Sequence, residues 1–156
     1  MSHTPVSGVA AYFAQFEGFE FDATRGIIPE FDRLCSERSW GKKRRQTARR
    51  KLNGFIAEEF NAAYGTLDND LIQWQTLSRE LRVEPVPDSV SQCKQAVKRI
   101  HVNIVDLLDA RARGEQVRLH RNMHQLAQYS IRTGKIFPKK QAKAGLLLKY
   151  LLRQIY

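Results

Sequence analysis

The fold is decided by the stretch between Lys42 and Tyr64, which reads KKRRQTARRKLNGFIAEEFNAAY. Apolar side chains recur in it at helical spacing, at Ala48, Leu52, Phe55, Ile56, Phe60 and Ala63. This spacing predicts one amphipathic helix with a single buried face, and Gly65 supplies a stop directly after Tyr64. The stretch therefore predicts a helical protein built around residues 42–64.

The same spacing recurs on both sides of this stretch. Further helices are predicted over 6–16, 27–40, 71–81, from Asp88 or Ser89 to about Ala110, over 118–133, and from Pro138 to Ile155. No run of residues alternates in the strand pattern, so we expect an all-α fold, a compact bundle of about five to seven helices. Residues 1–156 are predicted to form one helical domain, in which residues 1–26 form a partly irregular arm.

One contiguous hydrophobic core is expected, because every apolar segment has helical spacing. Its predicted members are Leu52, Phe55, Ile56, Phe60, Trp74, Leu77, Ile100, Ile104, Leu107, Leu148 and Leu151. The apolar face of the last predicted helix, with Leu147, Leu148, Leu151 and Leu152, could also lie on a membrane surface. In an all-α domain of this size, we interpret that face as core.

The net charge of +10 is distributed unevenly along the chain. Residues 42–51 carry seven cations and no acid, and residues 111–156 carry eleven cations and one acid. The other two blocks are acidic, with net charges of −3 over residues 1–41 and −4 over residues 52–110. Such asymmetry indicates an anionic partner, which can be a nucleic acid, an acidic protein or an anionic membrane surface.

The cations of residues 42–51 surround their predicted helix, because successive residues are rotated by about 100°. The start of this helix is therefore expected to project from the body until Leu52 reaches the core. The helix dipole disfavours cations at this end, so a bound polyanion would relieve the repulsion and release counterions. A solvated helix end and a nuclear-import signal over Lys42–Arg45 are the competing interpretations. Arg44–Thr47 also resembles the target pattern of basophilic kinases.

The predicted nucleic-acid contacts are the cations of the first basic segment and three lysines of the second. They are Lys42, Lys43, Arg44, Arg45, Arg49, Arg50, Lys51, Lys139, Lys140 and Lys143. If they contact phosphates, affinity should depend on salt, and sequence preference should be weak.

The sequence lacks the marks of several other protein classes. Only Cys35 and Cys93 are present, too few for a disulfide framework or a structural zinc site. The longest apolar run, Gly145–Leu148, is too short to span a bilayer, and residues 1–16 do not resemble a secretory signal. We expect an intracellular protein without a cofactor, in the nucleus rather than the cytoplasm.

The histidines and carboxylates allow weaker chemical hypotheses. His120 and His124 would share a helix face, but Arg118 and Arg121 would repel a metal cation, so no metal site is predicted. The set of Arg118, Arg121 and His124 resembles loosely that of metal-independent ribonucleases, in which a histidine acts as general base. His101 is expected to be partly buried.

Asn103, Asp106 and Asp109 could bind a cation, but they suit a helix surface or a cap equally well. No nucleophile motif and no glycine-rich phosphate loop is present in the sequence. Catalytic residues are therefore not predicted.

Three phrases resemble a known group of proteins: FNAAYGT at residues 60–66, HVNIVDLLD at 101–109 and TGKIFPKKQAKAGLLLKYLLRQI at 133–155. They resemble small all-helical proteins of unknown function from filamentous fungi. The resemblance covers roughly residues 10–156 and is most specific in the last phrase. It implies a helical fold, and it brings no activity, cofactor or catalytic residue.

The sequence therefore predicts a non-catalytic protein that binds nucleic acid, or a nucleic-acid-associated complex, through segments 42–51 and 111–156. The alternative is a protein-interaction adaptor with separate acidic and basic faces, and the third candidate is a metal-independent ribonuclease. Convergence of the two basic segments on one surface would favour a polyanion partner, and dispersal with local acid pairing would favour the adaptor. An enzyme would need a concave pocket that contains a histidine or paired carboxylates with shifted pKa values.

Overall fold

The computed structural model describes residues 8–155, the last three of them by their backbone alone. Within this range lie eight α-helices, one short 3₁₀ helix at Ala23–Arg25 and one two-stranded antiparallel sheet. The helices are α1 (Gly8–Ala14), α2 (Ile27–Glu37), α3 (Lys42–Tyr64), α4 (Leu71–Glu80), α5 (Val90–Lys98), α6 (Ile104–Arg113), α7 (Met123–Thr133) and α8 (Leu146–Ile155). The strands are β1 (His101–Val102) and β2 (Leu119–His120). The helical fold is as predicted, but the predicted number of helices was too low.

Helix α3 is the central element, with the bounds that its sequence predicts. The helices α1, α4, α6 and α8 all pack against it. It ends at Gly65, which has a φ of 96° and donates its N–H to the Asn61 carbonyl. Glycine adopts such a backbone without the steric cost that a side chain would add, so the end of α3 is fixed locally.

The core is one contiguous cluster of apolar side chains, as expected. Of the eleven residues predicted to belong to it, nine are buried, and Phe55 and Ile100 are half-buried against the same cluster. The aromatic side chains of Tyr12 and Phe13 in α1 are also fully buried. Helix α1 therefore belongs to the packed body, although residues 1–7 of the predicted arm lie outside the described part of the chain.

The helix predicted up to about Ala110 is interrupted between Lys98, where α5 ends, and Ile104, where α6 begins. The side-chain Oδ1 of Asn103 accepts the Asp106 N–H at 3.1 Å and caps the start of α6. Its Nδ2 donates to Ser130 Oγ and to the Lys135 carbonyl, both at 2.9 Å. These bonds hold Asn103, which follows β1, in an extended backbone, so the next helix begins only after this residue.

The helix predicted over 118–133 begins later than expected, at Met123. Asn122 caps it, because its Oδ1 accepts the Gln125 N–H at 2.9 Å. The residues before the cap form β2, which pairs with β1 so that His101 lies opposite His120. Cross-strand pairing therefore replaces the first predicted turn of the helix.

The last helix begins at Leu146 and not at Pro138. The segment between these residues crosses α3, where Asn61 Nδ2 donates to the Lys143 carbonyl at 2.9 Å. The Gly145 N–H in turn donates to Asn61 Oδ1 at 3.2 Å. Backbone groups that bond to a side chain of α3 are not available for helical bonds, so this segment stays irregular.

The apolar face of α8 is core, as predicted, because Leu147, Leu148, Leu151 and Leu152 are all buried. The alternative of a membrane-surface helix would need this face to be exposed. Between residues 8 and 155, no helix combines the length and apolar character that a membrane span requires.

Candidate nucleic-acid interface

The first basic segment is exposed over residues 42–47 and packed from Ala48 onward. Ala48 is buried, and its carbonyl accepts the Tyr12 hydroxyl of α1 at 3.5 Å. The helix start is exposed over its first six residues, but it lies beside α2, because Arg45 and Gln46 line a hollow together with Phe31 and Asp32. The first core contact was predicted at Leu52, one turn later than Ala48, where the structure has it.

Trp40 positions two of the predicted contact residues. The Arg44 guanidinium lies over the Trp40 ring, 4.8 Å from its centroid. The Nε of Arg45 donates to the Trp40 carbonyl at 2.9 Å. Both arginines remain exposed, so these contacts hold the two charges at the helix start while leaving the guanidinium groups accessible.

Arg49 has a different environment from the other cations of its segment. Its guanidinium donates to Asn53 Oδ1 at 3.0 Å, and to the carbonyls of Gly134 and Ile136 at 3.1 and 2.8 Å. Burial lowers the pKa of Arg49, and the nearby Asp32 opposes this shift. Arg49 stays charged and links α3 to the chain that follows α7.

The second basic segment meets the first along the outer face of α3. A Cβ at Gly54 would lie 3.6 Å from Lys143 Cγ, and Lys143 Nζ lies 3.8 Å from Glu58 Oε1. Lys43 and Arg50 share this helix face with Gly54, because residues four and eleven positions apart return to nearly the same direction. The chain of the second segment therefore lies against α3, at Arg49 and beside Gly54.

The exposed cations of the two segments form what we call the joined basic surface. It consists of Lys42, Lys43, Arg44, Arg45, Arg50, Lys51, Lys139, Lys140, Lys143 and Lys149. Lys149 of α8 is added by the structure, since it lines a hollow of about 510 Å³ together with Lys139 and Lys140. Sequence reasoning missed it, although it lies opposite the buried leucines of α8.

Counter-charges on the joined basic surface are few. Lys143 has the distant contact with Glu58, and the other cations of the surface have no ion pair among the described residues. Asp32 lines a hollow with Arg45 and Arg50 without an ion pair, whereas Glu30 and Asp106 are paired with Arg33 and Lys135. The positive charges of the surface are therefore open to an external anion.

A separate concave site, which we call the α7 pocket, lies between β2 and α7. Its volume is about 710 Å³, and it is lined by Arg118, His120, Gln125, Gln128, Tyr129, Ile131 and Arg132. The sequence had paired His120 with His124 on one helix face. In the structure His120 belongs to β2 and is buried, whereas His124 belongs to α7 and is exposed.

Partly buried polar contacts lie next to the α7 pocket. Lys135 Nζ donates to Asp106 Oδ1 at 2.8 Å and contacts the Tyr129 hydroxyl at 3.1 Å. The rings of Tyr129 and His120 pack with their centroids 4.7 Å apart. Burial lowers the pKa of His120, and Arg118 lowers it further.

Sequence reasoning overlooked Tyr129, and it did not foresee this role for His120. The α7 pocket meets the criterion for an enzyme given in the sequence analysis, because it is a concavity that contains a histidine with a shifted pKa. The ribonuclease set that the sequence suggested, with His124 as general base, is not assembled around it.

The carboxylates near Asn103 have separate partners and do not gather as a cation site. Asp106 bonds to Lys135, whereas Asp109 Oδ1 accepts the Ile27 N–H at the start of α2, at 3.0 Å. Burial raises the pKa of Asp109 to about 6, against the opposing effects of the Ile27 N–H and Arg113. In the part of the chain with described side chains, no group of three or more His, Cys, Asp or Glu residues is arranged to hold a metal ion.

Comparisons with known proteins assign no function to this chain, so the joined basic surface and the α7 pocket are the basis for inferring one. No protein-family model, no curated protein and no solved structure matches the chain. The resemblance of residues 10–156 to the helical proteins of filamentous fungi therefore stays a prediction.

Proposed function

We propose that this protein binds nucleic acid, or a nucleic-acid-associated complex, through the joined basic surface and without catalysis. The observation that supports this best is the packing of the second basic segment against α3, where Arg49 bonds to the Gly134 and Ile136 carbonyls and the Lys143 stem lies beside Gly54. Exposed cations without carboxylate partners contribute favourably to the free energy of binding a polyanion, because binding releases the counterions condensed on the nucleic acid. Segments 42–51 and 111–156 both contribute.

The extent of the surface sets the number of phosphates that it can reach. From Lys42 to Gly54, α3 extends by about 18 Å at 1.5 Å per residue. Six exposed cations lie along this length, which allows about five phosphate contacts. Five contacts predict a slope of about −4.5 for log affinity against log salt. Affinity should then fall several hundred-fold between about 50 and 200 mM salt.

The side chains of the joined basic surface are all lysines and arginines. Lysine and arginine contacts to phosphates carry no sequence information, so base preference should be weak. The exposed run Lys42–Arg45 also fits recognition by a nuclear-import receptor, which is consistent with a nuclear location.

A salt-titrated binding assay tests the proposal, with unrelated duplex DNA, duplex RNA and single strands as probes. The informative variant is Arg50→Gln/Lys51→Gln, which removes two exposed charges from the joined basic surface. Its control is Arg79→Gln/Lys98→Gln, which removes two exposed charges from α4 and α5, outside that surface. We expect the first variant to flatten the slope by about 0.9 per lost contact and the control to leave it unchanged.

Two results would contradict the proposal. If Arg50→Gln/Lys51→Gln keeps the slope of the unmodified protein, these two residues do not contact phosphates and the joined basic surface as defined is not the interface. If the unmodified protein does not bind at low salt, the adaptor with separate acidic and basic faces replaces the nucleic-acid-binding protein as the better explanation.

A further inference from the structure

We propose that the α7 pocket is a second binding site, which takes a phosphomonoester carried by a small organic molecule of about nucleotide size. The site is separate from the joined basic surface, and the proposal does not depend on nucleic-acid binding. It follows from the charges that line the pocket, from its volume and from the buried contacts that hold its aromatic ring.

The charge of the α7 pocket favours an anion. The guanidinium carbons of Arg118 and Arg132 lie 5.1 and 5.8 Å from the centroid of the Tyr129 ring. Neither arginine has an ion pair among the described residues, and no carboxylate lines the pocket. Guanidinium groups match the geometry of phosphate oxygens and bind them through parallel hydrogen bonds.

The carboxylate behind the pocket does not compete with an anionic ligand. Asp106 lies next to Tyr129, but its charge is countered by Lys135 at 2.8 Å. Hydrogen bonds to Asp106 and Tyr129 raise the pKa of Lys135, although burial acts to lower it. The lysine therefore stays protonated, and the field inside the α7 pocket is set by the two arginines.

The volume and the remaining lining residues indicate an organic group beside the phosphate. A volume of about 710 Å³ is far more than an inorganic phosphate ion needs, and it falls within the range of small-molecule pockets. Ile131 is 69% exposed and offers an apolar wall. Gln125 and Gln128 lie one turn apart on the exposed side of α7 and offer amide donors and acceptors to hydroxyl groups.

The Tyr129 ring is held in place before any ligand binds. Its hydroxyl contacts Lys135 Nζ at 3.1 Å, and its face packs on the buried His120 ring. The backbone carbonyl of Lys135 is in turn held by Asn103 Nδ2 at 2.9 Å. A ring fixed by these contacts loses little freedom on binding, so more of the interaction free energy appears as affinity.

Isothermal titration calorimetry with AMP, adenosine and inorganic phosphate tests the proposal. We expect AMP to bind, adenosine not to bind, and inorganic phosphate to displace AMP. The variant Arg118→Gln/Arg132→Gln should weaken AMP binding at least about tenfold, because it removes both charged donors. The control Lys139→Gln/Lys140→Gln removes the same charge from the joined basic surface and should leave AMP affinity within about twofold.

A second measurement is independent of these variants. In NMR spectra of the unmodified protein, AMP should shift the ring signals of His120 and leave those of the exposed His124 in place. The proposal is overturned if AMP does not bind at about 10 mM, if adenosine binds as tightly as AMP, or if the control loses as much affinity as the arginine variant. It is also overturned if AMP binds without shifting His120. Thermal melting of both variants establishes that each is folded before titration.

Discussion

Arg49 reaches across the chain to Ile136, whose carbonyl oxygen accepts its guanidinium N–H at 2.8 Å. The same guanidinium holds the Gly134 carbonyl, so α3 and the chain after α7 keep a fixed relation. Of the seven cations in residues 42–51, Arg49 is the one whose guanidinium bonds to backbone carbonyls after α7, whereas Arg44 and Arg45 contact the neighbouring Trp40. The remaining six are exposed.

Replacing Arg49 should therefore destabilise the protein. Arg49→Gln leaves the carbonyls of Gly134 and Ile136 without their charged donor, which should cost about 1–3 kcal/mol of unfolding free energy. Arg50→Gln, a change in an exposed neighbour, should stay within about 0.5 kcal/mol. Urea unfolding of both variants measures the difference, and equal stabilities would contradict the role assigned to Arg49.

The stability of the protein should depend on pH through Asp109, whose pKa is raised to about 6 from 3.8. A raised pKa means that the folded protein holds this proton more tightly than the unfolded chain does. The contribution of Asp109 is therefore greatest below about pH 3.8, and it is lost as the pH rises to about 6.

Asp109→Asn removes this titration and keeps an oxygen that can accept the Ile27 N–H. The unfolding free energy of the variant, relative to the unmodified protein, should rise by up to about 3 kcal/mol between pH 4 and 7. Chemical denaturation of both proteins at several pH values checks this. A difference that stays constant with pH would show that Asp109 does not titrate in this range.

Asn103 should be the most costly of the helix caps to replace. Asn103→Ala removes the cap of α6 and leaves Ser130 Oγ and the Lys135 carbonyl without the Nδ2 donor, which should cost about 2–4 kcal/mol. Asn122→Ala removes only an exposed cap and should cost about 1 kcal/mol. Thermal melting ranks the two variants, and the reverse order would contradict the central position of Asn103.

The histidines provide a test of the expectation that the protein is not a ribonuclease. His124→Ala should change neither stability nor function, because the side chain is exposed. His120→Ala should lower the melting temperature, since it removes a buried ring that packs on Tyr129. RNA cleavage that disappears in His124→Ala and survives in His101→Ala would overturn this expectation.

The sequence predicts α3 well because everything that defines α3 is local. The apolar stripe from Ala48 to Ala63 lies on one face, and Gly65 stops the helix with its own backbone. The prediction of one continuous helix from Asp88 or Ser89 to about Ala110 was wrong for the opposite reason. Two partners of Asn103, Ser130 and Lys135, lie 27 and 32 residues away, so no local sequence pattern predicts the interruption between α5 and α6.

In the candidate sites, too, features that depend on residues close in sequence were predicted, and features that depend on distant residues were missed. Charge counting identifies the exposed cations of the joined basic surface, but it treats Arg49 like its neighbours. The distinguishing partners of Arg49, Gly134 and Ile136, are 85 and 87 residues away. The α7 pocket was missed because the pairing of β1 and β2 brings His120 against Tyr129, and a pair of two-residue strands has no recognisable sequence pattern.

The crossing of α3 by the segment after Pro138 has a consequence for limited proteolysis. An irregular segment that contains Lys139, Lys140 and Lys143 would ordinarily be an easy site for trypsin. Here the Lys143 carbonyl and the Gly145 N–H are both bonded to Asn61, so the chain around Lys143 cannot extend into a protease cleft without leaving α3. Trypsin should therefore cut after Lys139 or Lys140 well before it cuts after Lys143.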